Sequence, residues 1–78
     1  MEQENTSILD LRGLKCPLPV LKARKAMQPL AAGSRIWLET TDPLAVIDIP
    51  AFCNENGHEL LATEDCGEYQ RFLLSKGD

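Results

Sequence analysis

Cys16 stands in the run Leu11-Arg12-Gly13-Leu14-Lys15-Cys16-Pro17-Leu18-Pro19, and this is where the types and spacing of residues could support chemistry. A cysteine acts as nucleophile or metal ligand through its thiolate, so its surroundings decide what it can do. Ser7 to Leu11 reads as a short strand and Val20 to Leu30 as an amphipathic helix, which sets Cys16 at a strand-to-helix junction beside the helix N-cap. Pro17 and Pro19 fall in the first helical turn, where a missing N–H costs little because those donors have no intrahelical partner. Their fixed φ stiffens the junction and, with Gly13 ahead of them, sets the direction of the sulfur. The helix N-terminus is partially positive, and Arg12, Lys15 and Lys22 are near in sequence. Both favour thiolate. The prolines leave few amides to donate to sulfur, so a moderate lowering of the Cys16 pKa is expected. The plain alternative is a free cysteine used as a small apolar filler.

Other cysteine chemistries fit less well. A dithiol redox centre needs a resolving cysteine, typically at the third residue on, and that residue is Pro19. Cys16, Cys53 and Cys66 lack the spacing of zinc ligands, so no metal site and no bound cofactor are expected. Cys53 reads as a core residue and Cys66 as an exposed loop thiol. His58, the one candidate base of the cysteine-hydrolase kind, is expected at the opposite sheet edge from Cys16. What remains is an accessible sulfur with no base, metal or second thiol beside it. Such a thiol can accept a group and pass it on without losing it internally, and sulfur itself is a cargo that a thiolate attacks directly.

The chain of 78 residues is enough for one small domain, read as residues 7–78 after a flexible tail over 1–6. No apolar run approaches the ~18 residues of a membrane span and the start is no signal peptide, so a cytoplasmic protein is expected. Three cysteines, an odd number widely spaced, suit reduced thiols. Net charge is −4, yet five of the eight bases (Arg12, Lys15, Lys22, Arg24, Lys25) form a stretch that no acid interrupts. A basic patch on an acidic protein suits docking on an acidic partner surface, and equally a solvated helix face. The overall negative field argues against stable binding to nucleic acid.

The elements that must position Cys16 follow from periodicity. Val20, Ala23, Met27 and Leu30 form one stripe of the first helix. Ser34 to Thr40 reads as the second strand, with Ile36 and Leu38 on one face and Arg35, Trp37 and Glu39 on the other. Thr41-Asp42-Pro43 is a helix start with Asp42 as N-cap. The second helix runs towards Asn56 with Gly57 as its stop, and Pro50 inside it predicts a kink or a restart capped by Asp48. His58 to Thr63 and Tyr69 to Leu74 read as a hairpin turning at Asp65-Cys66-Gly67. The order β-α-β-α-β-β gives a mixed four-stranded sheet with two helices on one face, an α+β two-layer sandwich. Trp37 and Arg35, with Tyr69, Arg71 and Leu73, are expected on the uncovered face.

The stretch Leu9 to Val20, with its Gly-x-x-Cys-Pro-x-Pro core, resembles the signature of the TusA/SirA sulfur-carrier family. The resemblance continues through Arg24-Lys25, Gly33, Asp42-Pro43, Asp48-Ile49-Pro50-x-Phe52-Cys53 and His58-Glu59-Leu60 to the closing hairpin, and covers Ile8 to Gly77. It is nearer the family's tRNA-thiolation branch than its selenium-linked or membrane-associated branches. It implies a fold similar to the C-terminal domain of translation initiation factor 3, with the last strand inserted beside the second. It further implies a relay: Cys16 takes a persulfide from a cysteine desulfurase and passes it to a downstream protein, towards 2-thiouridine at the wobble position of tRNA. Carriers of this family also serve molybdenum-cofactor synthesis and sulfur oxidation, and the sequence does not choose among these routes. Arg24 and Asp42 match polar positions near the carrier cysteine and are implied to dock the desulfurase. Arg12 and Lys15 join them on charge alone. The competing reading is a binding or regulatory module in which Cys16 is structural.

Overall fold

A computed structural model describes residues 6–77; residues 1–5 and 78 lie outside it, and with them most of the tail read over 1–6. Thr6 is already part of the first strand. The elements are β1 (Thr6–Asp10), α1 (Leu18–Met27), β2 (Arg35–Thr40), α2 (Ala45–Asn56), β3 (Glu59–Asp65) and β4 (Gln70–Ser75). The sheet order is β1-β2-β4-β3. β1 pairs parallel with β2, and β4 runs antiparallel between β2 and β3. This is the expected order of elements and the expected insertion of the last strand.

Alternation explains which face each strand buries. In β2, Ile36, Leu38 and Thr40 are buried while Arg35, Trp37 and Glu39 alternate outward. In β4, Phe72 and Leu74 are buried, opposite Leu38 and Ile36. β3 carries a register shift between Leu60 and Ala62, so that Leu60 packs on the core while Leu61 is exposed. The helices complete the core with Ala23 and Met27 from α1 and Ala45, Ile49, Phe52 and Cys53 from α2. Val20 packs against that cluster from α1, and so does Leu30, which lies three residues past the end of the helix, so the stripe holds within α1 for Val20, Ala23 and Met27 only.

α1 spans Leu18–Met27, starting two residues and ending three residues before the expected Val20 to Leu30, and α2 differs from the expectation in two ways. α2 begins at Ala45, not Pro43, because Asp42 acts two residues ahead: its Oδ1 accepts from the Leu44 N–H at 3.2 Å and its carbonyl from the Ala45 N–H at 3.0 Å. α2 then runs through Pro50 as one helix. The lost donor leaves the carbonyl of Val46 without its intrahelical partner, but that turn is exposed and water can serve it. Gly57 closes α2 with φ of 73°, the left-handed conformation expected of a helix stop.

The uncovered sheet face holds the predicted cluster. The Arg71 guanidinium lies 4.0 Å over the Trp37 ring and its Nε donates to Glu64 at 2.8 Å. Leu73 pairs with Trp37 across the strands. At the opposite end of the sheet from the Cys16 loop, the Lys76 Nζ donates to the Leu30 carbonyl at 2.8 Å and helps hold the chain leaving α1.

Candidate functional site

The chain leaving β1 reaches Cys16 through two tight turns, with Leu14 N–H donating to Leu11 O and Leu18 N–H to Lys15 O. Gly13 allows the first of them, at φ of 87°, a conformation that costs an L-residue about 1 kcal/mol or more. Two bonds tie this loop to the segment after β2. The Gly13 N–H donates to Thr41 Oγ1 at 2.9 Å, and the Cys16 N–H donates to Asp42 Oδ2 at 2.8 Å. The loops after the two parallel strands are thus fastened to each other beneath the sulfur. Pro17 is the N-cap of α1 and Pro19 is buried in its first turn; the Cys16–Pro17 peptide bond is cis.

Asp42 is only 8 % exposed, and its two oxygens serve the Leu44 and Cys16 amides. The surface contact expected of it gives way to an internal role, because the carboxylate is taken up in joining the Cys16 loop to the start of α2. Asp42→Ala is therefore expected to destabilise the domain by about 1–3 kcal/mol, since two amide donors lose a charged acceptor. Thermal unfolding measures the loss, and Asp42→Asn, which keeps one acceptor oxygen, should recover part of it.

Cys16 is exposed and opens onto a groove of about 250 Å³ between the helices. α1 contributes Val20 and Arg24, with Pro17 just ahead of it; α2 contributes Asp48, Ala51, Phe52 and Glu55. The last four share one helical face, at spacing i, i+3, i+4 and i+7. Both helices start at the end that carries Cys16. Arg24 and Glu55 therefore stand roughly 10 Å farther along the groove than Pro17 and Asp48, at 1.5 Å rise per residue. Asp48 and Glu55 were not read as site residues. Their signal was the unbroken helical spacing, which a break at Pro50 would have destroyed.

The electrostatics of Cys16 run opposite to expectation. Its pKa is raised, first by a hydrogen bond from the thiol to the Asp48 carboxylate, then by desolvation, then by the negative charges of Asp48 and Asp42. None of the basic residues acts on it. Arg12 is drawn away: its Nε donates to Asp10 Oδ1 at 2.9 Å and its guanidinium lies over Tyr69. Lys15 borders a separate groove with Leu14 and Leu44, and Lys22 is exposed on α1. Of the five bases near Cys16 in sequence, only Arg24 lines its groove.

The other residues sit as expected. All three cysteines are free. Cys53 is buried, and burial pushes its thiol up to about 11, so it stays protonated at neutral pH. Cys66 is exposed in the β3–β4 turn, where its N–H donates to the Tyr69 carbonyl. His58 packs its ring on Phe52, and its Nδ1 accepts from the Gly77 N–H at 3.0 Å; it does not line the groove of Cys16. Among the described residues no group of three His, Cys, Asp or Glu side chains could hold a metal ion, and no helix is long and apolar enough to cross a membrane.

Comparison with known proteins agrees with this geometry. A family model described as sulfurtransferase TusA matches residues 7–76. The sulfur carrier protein TusA of Pseudomonas putida is 44 % identical over 73 residues, covering 92 % of this chain and 91 % of that protein. A putative sulfur carrier protein of Bacillus subtilis, YrkF, is 42 % identical over 72 residues; the match covers 92 % of this chain and only 39 % of that longer protein. The crystal structure of a SirA-like protein from Desulfitobacterium hafniense has the same fold, with a TM-score of 0.79 at 20 % identity over 92 % of this chain and 99 % of that one.

Proposed function

The chain belongs to the TusA family of sulfurtransferases, and on that premise we propose that it carries sulfur as a persulfide on Cys16, from a cysteine desulfurase to a downstream acceptor protein, for 2-thiouridine synthesis in tRNA. The observation that carries the reading is the exposed Cys16 thiol, fixed by its own amide to Asp42, with neither of the chain's other thiols in its groove.

The chemistry needs little from the protein beyond that placement. Cys16 as thiolate attacks the terminal sulfur of the donor's persulfide; the donor's S–S bond breaks and its own sulfur leaves as thiolate. One S–S bond forms as another breaks, so no oxidant or reductant enters. Delivery repeats the step, with an acceptor cysteine attacking the terminal sulfur on Cys16. A persulfide with no thiol beside it is not lost to an internal disulfide. No cofactor takes part, and the cargo stays covalent throughout.

Arg24 in the groove and Lys15 beside the loop supply positive charge for docking an acidic partner surface. Arg12, held by Asp10, contributes less. Arg24→Glu is expected to slow loading about fivefold at low salt, with the difference shrinking as ionic strength rises. The test of the function itself is incubation with a cysteine desulfurase and cysteine, followed by intact mass measurement. The protein should gain one sulfur atom, removable by reductant. A protein that gains none, yet binds the desulfurase, would be the non-catalytic docking module instead.

A further inference from the structure

The uncovered face of the sheet takes no part in the sulfur chemistry, yet its side chains lie in ordered rows. Alternation sends Ile8 of β1, Trp37 of β2, Leu73 of β4 and Ala62 of β3 to this face. Strand register sets them side by side, Ile8 next to Trp37, Trp37 next to Leu73 and Leu73 next to Ala62. An apolar belt thus crosses all four strands, and Ile8 at its end is 63 % exposed. On β2, Arg35 and Glu39 stand two residues before and two after Trp37, on the same face. Among the described residues neither forms an ion pair, whereas Arg71 is held by Glu64 and Arg12 by Asp10. We infer that this face pairs with the same face of a second copy of the chain, about a two-fold axis running along the apolar belt. The pairing is independent of what Cys16 carries.

Such an axis turns one sheet over onto the other. Each strand then faces its own counterpart running the opposite way, an aligned packing of two sheets. The belt meets itself, apolar residue against apolar residue. Positions equally far from the belt exchange, so Arg35 faces Glu39 of the second copy and Glu39 faces its Arg35, giving two identical ion pairs in an isologous interface. The other exchanged positions are Thr6 with Asp10, Ser75 with Arg71 and Glu59 with Glu64. Only the last opposes like charges, and there Arg71 already neutralises Glu64. Opposite charges set evenly about Trp37 make the face complementary to itself, which selects a second copy over a different protein. Four strands about 4.8 Å apart and five residues at about 3.3 Å make a patch of roughly 19 by 17 Å. That is at the small end of protein interfaces, so the dimer is weak and reversible, with Kd on the order of 10–100 μM. The Cys16 groove lies between the helices on the other side of the sheet, and pairing leaves both carrier sulfurs free.

The test is sedimentation of the full chain under reductant, which removes disulfide-linked dimers. Between about 5 and 500 μM the protein should pass reversibly from monomer to dimer, a range set around the expected Kd. The emission of Trp37, the chain's one tryptophan, should shift to the blue over the same range. Arg35→Glu and Glu39→Arg should each weaken the dimer about tenfold, because each sets like charges against one another twice. Mixed in equal amounts, the two variants should associate with each other as tightly as the wild type does with itself, since both ion pairs then form between the copies. A chain carrying both changes should recover the homodimer. The two positions are roughly 13 Å apart along one strand, so that recovery has no source within a single chain. Circular dichroism of each variant checks the fold. A wild type that stays monomeric throughout the range overturns the pairing without any variant and leaves the belt to a different protein. Single variants that dimerise as well as the wild type, or that fail to associate on mixing, overturn it equally.

Discussion

Cys16→Ser is expected to abolish sulfur uptake from a cysteine desulfurase while moving the thermal midpoint by no more than about 2 °C. The side chain is exposed and the core does not use it. The Cys16 amide bond to Asp42 involves the backbone and survives the change. Serine keeps the volume and a donor for Asp48, but its hydroxyl is not ionised near neutral pH and is a weak nucleophile without an adjacent base. No such base lines the groove: His58 is engaged with Phe52 and Gly77 elsewhere. Cys66→Ser should load normally, since that thiol lies in the β3–β4 turn away from the groove. Sulfur uptake and thermal unfolding measured on the same two preparations separate loss of chemistry from loss of fold.

Phe72→Ala should be the most damaging single truncation of the core, at about 3–5 kcal/mol. Phe72 is 1 % exposed and sits on β4, the strand between β2 and β3, opposite Leu38 and Thr63. Its ring belongs to the same buried cluster as Ile36 and Leu38 of β2 and Ile49 and Phe52 of α2. A domain of this size has a total stability of only about 5–8 kcal/mol to draw on. The melting temperature should therefore fall by roughly 15 °C or more, at about 4–8 °C per kcal/mol. Phe72→Leu, which leaves a smaller cavity, should fall by less than half as much. Chemical denaturation of the three proteins gives the ordering, and a loss under 1 kcal/mol for alanine would show that the core is not organised around β4.

Local chemistry made the Cys16 region readable before any coordinates. A glycine upstream, a strand ahead of it and Pro19 in the first helical turn are short-range signals that hold in the fold, while Pro17 stands just outside the helix as its N-cap. The alternation in β2, the stripe on α1, the stop at Gly57 and the burial of Cys53 were readable for the same reason. What failed was long-range. The direction of the Cys16 pKa depends on which charges the fold brings to it, and these are Asp48, thirty-two positions away, and Asp42, not Arg12 or Lys15. Asp48 could be placed only by knowing that α2 passes through Pro50 unbroken, a matter that tertiary packing of Ile49, Phe52 and Cys53 decides over local propensity. The role of Asp42 was half visible. Expected as the N-cap of α2, it instead accepts from the Leu44 amide in the turn before the helix, whose N-cap is Leu44, and its bond to the Cys16 amide requires the two strand ends to lie side by side.

That Cys16 alone bears the transferred sulfur is most directly tested by locating it. Wild-type protein loaded by a desulfurase should be alkylated to trap the persulfide, digested, and mapped by tandem mass spectrometry. The added sulfur should appear on the peptide containing Cys16, with those containing Cys53 and Cys66 unmodified. Sulfur found on Cys66, the other exposed thiol, or spread between the two, would contradict the account.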